Sequence, residues 1–168
     1  MRRNSVPKDL VIRLAREADA PTVLAFIKDL AAFEQLSEEV TATEADLRRW
    51  LFGEDRVGET IMAELGGRPV GYAMYFRSFS TFLGKPGIYV EDLFVEEAFR
   101  SLGIGRRMLA YLAREAVDRG YGRLEWTALN WNQRAIRLYL QVGAMAEDEW
   151  TGYRLTGAPL HALAQESA

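Results

Sequence analysis

The chain has no cysteine and a single histidine, His161, in 168 residues. The first absence excludes disulfides, thiolate nucleophiles, iron–sulfur ligation and cysteine-based zinc sites. The second leaves no set of imidazoles for a histidine-rich metal centre, and no metal is expected. His161 reads as a surface residue and not as the base of a Ser-His-Asp triad. No window approaches the ~20 apolar residues of a membrane span, and the first ten residues carry Arg2, Arg3 and Lys8 without an apolar run behind them. A cytoplasmic protein with no membrane partner is therefore expected. Neither sign of charge prevails: 21 basic against 24 acidic residues give a net charge of −3. That balance offers no global field for a polyanion, so nucleic acid is not expected as a partner. What is present is an ordinary globular composition, 49% hydrophobic and 27% charged, in a length that suits one compact domain over residues 1–168.

Residues 9–14 alternate as a short strand, with Leu10, Ile12 and Leu14 on one face. Asp19 and Pro21 suit the start of a helix reaching about Glu34, in which Val23, Leu24, Ile27, Leu30 and Ala31 recur at helical spacing. Thr43, with Asp46 three residues on, opens a second helix that Gly53 ends. From Glu59 the period becomes that of strands. Residues 60–65 and 70–76 form a hairpin about Gly66-Gly67, residues 78–87 a loop, and residues 88–95 (IYVEDLFV) a more central strand, hydrophobic except for Glu91 and Asp92. Residues 102–119 form a strongly amphipathic helix stopped by Gly120. A strand at 123–128, a helix at 132–142, a last strand at 149–155 and a short helix at 159–165 complete an α/β or α+β layout around one mixed sheet.

The densest signal lies between the central strand and the best helix: Arg100-Ser101-Leu102-Gly103-Ile104-Gly105-Arg106. Gly103 and Gly105 do not obstruct an approaching anion, a helix's first turn leaves N–H groups unpaired, and its dipole favours negative charge. Arg100, Arg106 and Arg107 add positive charge. The segment suits a pyrophosphate, although two glycines in a turn with solvated arginines would look the same. It is not a Walker A loop, since no Gly-Lys-Ser or Gly-Lys-Thr follows, and Met108 stands where the dinucleotide fingerprint has a third glycine or alanine.

This segment, preceded by Leu93-Phe94-Val95 and followed by Asn132, Tyr139 and Gly143, resembles the acetyl-coenzyme A site of the GNAT superfamily of N-acetyltransferases. With residues 38–47, 70–76 and 89–95 included, the likeness extends to the diamine acetyltransferase branch, which holds the spermidine/spermine and thialysine enzymes, and covers roughly residues 10–155. It implies a mixed, mostly antiparallel sheet flanked by helices. In such a sheet the strands near Ile88 and Leu124 splay apart, so that pantetheine meets main chain at Leu93, Phe94 and Val95 and phosphates rest on the amides from Arg100 to Arg106. Asn132 would contact the cofactor arm, and Ala135 replaces a serine of the branch. Acetyl-CoA is then the donor and coenzyme A the product.

Forming an amide from an amine and a thioester needs a neutral amine, stabilisation of an oxyanion and a proton for the departing thiolate. The resemblance makes Tyr139 the acid, where the helix alone would make it a core residue. Glu91 and Asp92 interrupt a hydrophobic strand, and adjacent strand residues face opposite sides unless a bulge intervenes. They could serve as base and amine ligand, or pair with Arg77 or Arg123. The resemblance gives Glu91 a water-relayed proton and Asp92 and Glu34 the amine, with Phe79, Phe82 and Trp131 walling the pocket. Glu38 and Glu39 read as a solvated face. The loop 78–82 has no acid where polyamine enzymes place one, which favours a shorter amine or an amino acid side chain over a polyamine. The expected activity is direct acetyl transfer to a small primary amine by a homodimer, with Trp150, Tyr153 and Leu155 available for the partner. A silent acyl-CoA-binding module and a protein or peptide amine acetyltransferase are the alternatives.

Overall fold

The computed structural model describes residues 6–167; Arg2 and Arg3 of the N-terminal reading lie outside the described residues. Two compact units divide at Leu129 and Asn130.

In the first unit five strands form one sheet in sequential order: β1 (Leu10–Leu14), β2 (Glu59–Leu65), β3 (Arg68–Ser80), β4 (Lys85–Val95) and β5 (Leu124–Trp126). The first four pair antiparallel and β5 lies parallel to β4. Alternation along the strands gives the sheet two apolar faces. One carries Ile61, Ala63, Ala73 and Tyr75 against Ile104, Met108, Leu112 and Ala116 of helix α3 (Ile104–Asp118). The other carries Met62, Tyr72 and Phe94 against Val23 and Phe26 of helix α1 (Ala20–Phe33). Helix α2 (Glu44–Leu47), continued by a π turn through Phe52, adds Leu47 and Leu51 to this second face. This is the mixed, mostly antiparallel α/β sheet that the resemblance implied.

Local chemistry sets these boundaries. Gly66 and Gly67, at φ 58° and 80°, supply the two left-handed residues of a tight hairpin turn, and Leu65 pairs with Arg68 across it. Thr43 and Asp46 form a reciprocal cap: the Asp46 N–H donates to Thr43 Oγ1 (3.2 Å) and the Thr43 N–H to Asp46 Oδ2 (2.9 Å). Asp19 does not cap α1 with its side chain. Its carboxylate accepts from the Arg16 N–H and from both Nη atoms of Arg13, which hold it below the usual carboxylate range, the Arg13 bonds most. Arg13 also pairs with Glu64, tying β1 and β2 to the start of α1.

Two expectations are corrected. The loop placed at 78–87 shrinks to residues 81–84, because Ser78, Phe79 and Ser80 pair with Gly87, Pro86 and Lys85 and lengthen the β3–β4 hairpin. No strand forms at 149–155. The second unit holds helices α4 (Gln133–Gln141) and α5 (Gly157–Gln165) and, among its described residues, no strand against which that segment could pair. Trp150 and Tyr153 are accordingly 79% and 95% exposed. No described helix is long and apolar enough to cross a membrane.

Candidate active site

β4 carries the functional side chains, and a bulge decides where they point. Met74 pairs with Asp92 while Tyr75 pairs with Val90, so Glu91 is the extra residue with no partner on β3. Before the bulge, Ile88 and Val90 face α3; after it, Leu93 and Val95 do. Strict alternation would have turned Asp92 into the α3 core. The inserted residue reverses the phase and sends Asp92 and Phe94 to the α1 face.

There Asp92 meets Tyr72. The buried Tyr72 hydroxyl donates to Asp92 Oδ2 at 2.8 Å, and its ring stacks on Phe26 at 5.9 Å between centroids. Burial pushes the Asp92 carboxyl above its usual range, and the bond from Tyr72 acts the other way. Glu34, at the C-terminal end of α1, is raised by burial first and then by the charge on Asp92. Burial also pushes the Tyr72 phenol up, and Asp92, Glu34 and Glu91 all add to that. Asp92 thus bonds the hydroxyl, while Glu34 and Glu91 act on it through their charge alone. Glu91 is exposed and, among the described residues, makes no hydrogen bond or ion pair. The expected alternative of a pair with Arg77 or Arg123 is not realised, since Arg123 pairs with Glu125 instead.

The β4–β5 ladder has three pairs and ends at Val90–Trp126. Beyond it, the β5-facing edge of β4 from Glu91 to Val95 has no strand beside it among the described residues, which is the splay the resemblance implied. The chain then turns through residues 97–99 into α3. Gly103, the residue before that helix, sits at φ 80°, and a Cβ there would lie 3.1 Å from Val6 Cγ2. The first bond of the helix runs from the Arg107 N–H to the Gly103 oxygen at 3.1 Å, so Ile104 and Gly105 precede the helical ladder with their amides unpaired inside the helix. Ser101 adopts φ 67°, uncommon for a residue with a side chain and a conformation that clusters at functional sites. This glycine-bearing helix start beside an open strand edge fits a thioester donor carrying phosphates. Arg100 departs from the expectation. Its amide donates to Glu97 O (3.2 Å) and its Nε to Val95 O (2.8 Å), and its guanidinium lies 4.5 Å from the Phe33 ring centre and 5.6 Å from that of Phe94. Its amide is used within the turn, so Arg100 leaves the expected set of phosphate amides.

Phe79 and Phe82 do not join the carboxylates. Phe79 pairs with Pro86, six residues along β4 from Asp92, or roughly 20 Å at the rise of a strand. Phe82 stands 96% exposed on the hairpin turn. Lengthening of the hairpin has carried both away. Trp131, Asn132 and Tyr139 belong to the second unit. Asn132 precedes α4 and its Oδ1 accepts from the Ala135 N–H at 3.2 Å, while Tyr139 is half-buried on that helix. The sequence reading missed Tyr72, which lies in an apolar strand and looks like core. The signal that could have found it is the pairing of its hairpin with a strand bearing Glu91 and Asp92.

Residues 24–144 match the model of the acetyltransferase (GNAT) family, and the chain belongs to that family. It is an acetyl-CoA-dependent N-acetyltransferase acting on amines, and it is similar to the diamine branch. Among curated relatives, the thialysine N-epsilon-acetyltransferase of Bos taurus is 36% identical over 92% of this chain and 97% of its own. The L-ornithine N5-acetyltransferase of Arabidopsis thaliana is 29% identical over 90% of this chain and 86% of its own. Among solved structures, an integron cassette protein from the mobile metagenome of V. cholerae aligns with a TM-score of 0.78 and 27% identity, covering 94% of this chain and 98% of that one.

Proposed function

We propose that the acceptor is the terminal amine of a small diamine or amino acid, held as a cation by Asp92 and Glu34. The observation that carries this reading is the half-buried Asp92, turned to the α1 face by the bulge of β4 and bonded to Tyr72, with half-buried Glu34 near enough to be raised by its charge. A half-buried carboxylate pair favours a bound ammonium, because an opposite charge offsets both the burial and the mutual repulsion. The named substrates of the two relatives, thialysine and L-ornithine, are amino acids with a side-chain amine. The carboxylates lie in the first unit and the acid candidate in the second, and the family match at 24–144 runs across their boundary, which supports reading residues 1–168 as one catalytic domain.

Glu91, unpaired and solvent-facing on its bulge, takes the ammonium proton through water; Tyr139 supplies a proton to the departing thiolate. Main chain at Leu93, Phe94 and Val95, the amides at 101–106 and Asn132 hold acetyl-CoA, which supplies an acetyl group activated as a thioester. Arg100 acts by bracing the turn. The working form is a cytoplasmic homodimer, a reading supported by the exposure of Trp150 and Tyr153.

Thiol release from acetyl-CoA tests this against spermidine, putrescine, thialysine, ornithine, lysine and a lysine peptide. Turnover of one or more of the free small amines, lost on Asp92→Ala, is the expected result. Turnover of the peptide alone would give the protein-directed alternative. Tight acetyl-CoA binding without turnover of any amine would give the silent binding module.

A further inference from the structure

A cleft of about 270 Å3 opens on the α3 face of the sheet, where β2 begins and α3 has just ended. Tyr75 and Ile88 on its wall belong to the α3 core, whereas Asp92 and Glu34 lie on the α1 face, so it is not the acceptor pocket. It is not the phosphate loop either. Arg119 and Tyr121 of its lining follow α3, with Arg119 roughly 24 Å along that helix from Gly103 at 1.5 Å per residue. Its volume is just under the roughly 300–1,000 Å3 of pockets for drug-sized ligands, which suits a small metabolite and not a coenzyme.

Charge sets the cleft apart in a chain whose net charge is −3. Arg56, Arg77 and Arg119 line it against one carboxylate, Glu59. Glu59 is already engaged: Arg119 donates to both its oxygens at 3.1 Å and the Tyr75 hydroxyl to one of them at 2.9 Å. These bonds, Arg119 foremost, hold it below the usual carboxylate range. Arg119 is further occupied by Glu115 at 2.8 Å. Arg56 and Arg77, in contrast, make no hydrogen bond or ion pair among the described residues. Arg56 adds its charge to those that lower Glu59 without bonding to it, so the hydrogen-bond donors of both guanidinium groups are left unused at the mouth of a concave site whose own acid is neutralised. Guanidinium forks match planar or tetrahedral oxyanions with paired hydrogen bonds.

We propose that this cleft is a second binding site, distinct from the catalytic one, that takes a small multiply charged oxyanion through Arg56 and Arg77. Carboxylate and phosphate groups share the needed chemistry, so citrate and inorganic phosphate are the two probes. Calorimetric titration of each into the full-length protein, with coenzyme A at saturation to block the phosphate loop, reads binding at the cleft alone. At least one probe should bind with one-to-one stoichiometry, and its affinity should fall as salt is raised. The double variant Arg56→Ala/Arg77→Ala should weaken binding at least tenfold. Arg114→Ala, which removes one positive charge from the exposed side of α3, should change affinity less than twofold. Both arginines are exposed, so the double variant should fold, and its melting temperature is checked first. Binding of citrate alone would assign the site to carboxylates, and of phosphate alone to phosphates. Absence of binding by both probes, or equal affinity in the double variant and the wild type, would overturn the proposal.

Discussion

Tyr72 gives its only hydroxyl proton to Asp92, 2.8 Å away, and that bond opposes the burial that pushes the Asp92 carboxyl up. Tyr72→Phe removes the opposing influence without vacating the aromatic stack. The Asp92 carboxyl is then pushed further up, and a neutral acid cannot hold an ammonium. The acid limb of kcat/KM should move to higher pH, with a loss of about tenfold on that limb from one charge-assisted hydrogen bond and recovery on its alkaline side. A pH-independent loss would mean that Tyr72 only packs.

The same burial carries a stability cost with a defined sign. Because the folded-state pKa of Asp92 is raised, the folded protein binds more protons than the unfolded chain between the ordinary carboxyl value and the raised one. Stability therefore falls as pH rises through that window and stays reduced above it. Asp92→Asn keeps an acceptor for Tyr72 and removes the charge. Its melting temperature should exceed that of the wild type at pH 7.5 by roughly 2–4 °C, the size of about 1 kcal/mol in a chain of this length. The difference should close by pH 3.5, while amine turnover is lost throughout. Equal melting at both pH values would remove the electrostatic argument for the carboxylate pair.

Gly103 and Gly120 flank the two ends of α3 and share a left-handed backbone, φ 80° and 70°. Alanine at either position costs about 1–2 kcal/mol of strain, so both variants should melt lower. A Cβ at Gly120 meets nothing within 4 Å, whereas at Gly103 it stands 3.1 Å from Val6, among the amides assigned to the donor's phosphates. Coenzyme A affinity, read by calorimetry, should drop at least tenfold for Gly103→Ala and stay unchanged for Gly120→Ala. Matched affinities in the two variants would refute the phosphate-loop assignment.

The sheet, the hairpin at Gly66-Gly67 and α3 were legible in the sequence because period and turn chemistry are local. Three features were not. The bulge at Glu91 shows only once β3 is laid beside β4, since it is a property of register and not of composition. The extension of the hairpin past Phe79 depends on pairing of Ser78 with Gly87, where a Cβ would meet Arg123 and Ser78 atoms at 2.8 and 2.9 Å. The segment 149–155 holds strand-favouring Trp150, Thr151 and Tyr153, yet composition supplies no hydrogen-bonding partner. Of the site, the glycine turn and the carboxylates were visible as residue types; Tyr72 was not, because its role depends on contact across two strands.

Among the described residues Glu91 has no ion pair to lose, so Glu91→Gln should alter stability by less than about 0.5 kcal/mol. Its effect on kcat should depend on how much of the bound amine carries a proton. Below the acceptor's own pKa the ammonium must be deprotonated and the loss should be large, on the order of 100-fold for an absent general base. As pH approaches 10 the amine arrives neutral and the loss should shrink. A loss constant across pH would assign Glu91 to binding alone.

Tyr139 divides the acid role from a packing role most directly. As a proton donor to the thiolate it acts only while the carbon–sulfur bond breaks, so Tyr139→Phe should lower kcat by 100-fold or more with KM for acetyl-CoA unchanged. The ring stays, and α4 retains its cap at Asn132. A better leaving group needs less protonation, and a donor ester of a more acidic thiol should recover part of the lost rate in the variant while gaining little in the wild type. If Tyr139→Phe keeps most of its kcat, or if the activated donor accelerates both proteins equally, the proton comes from elsewhere and Tyr139 is a packing residue of α4.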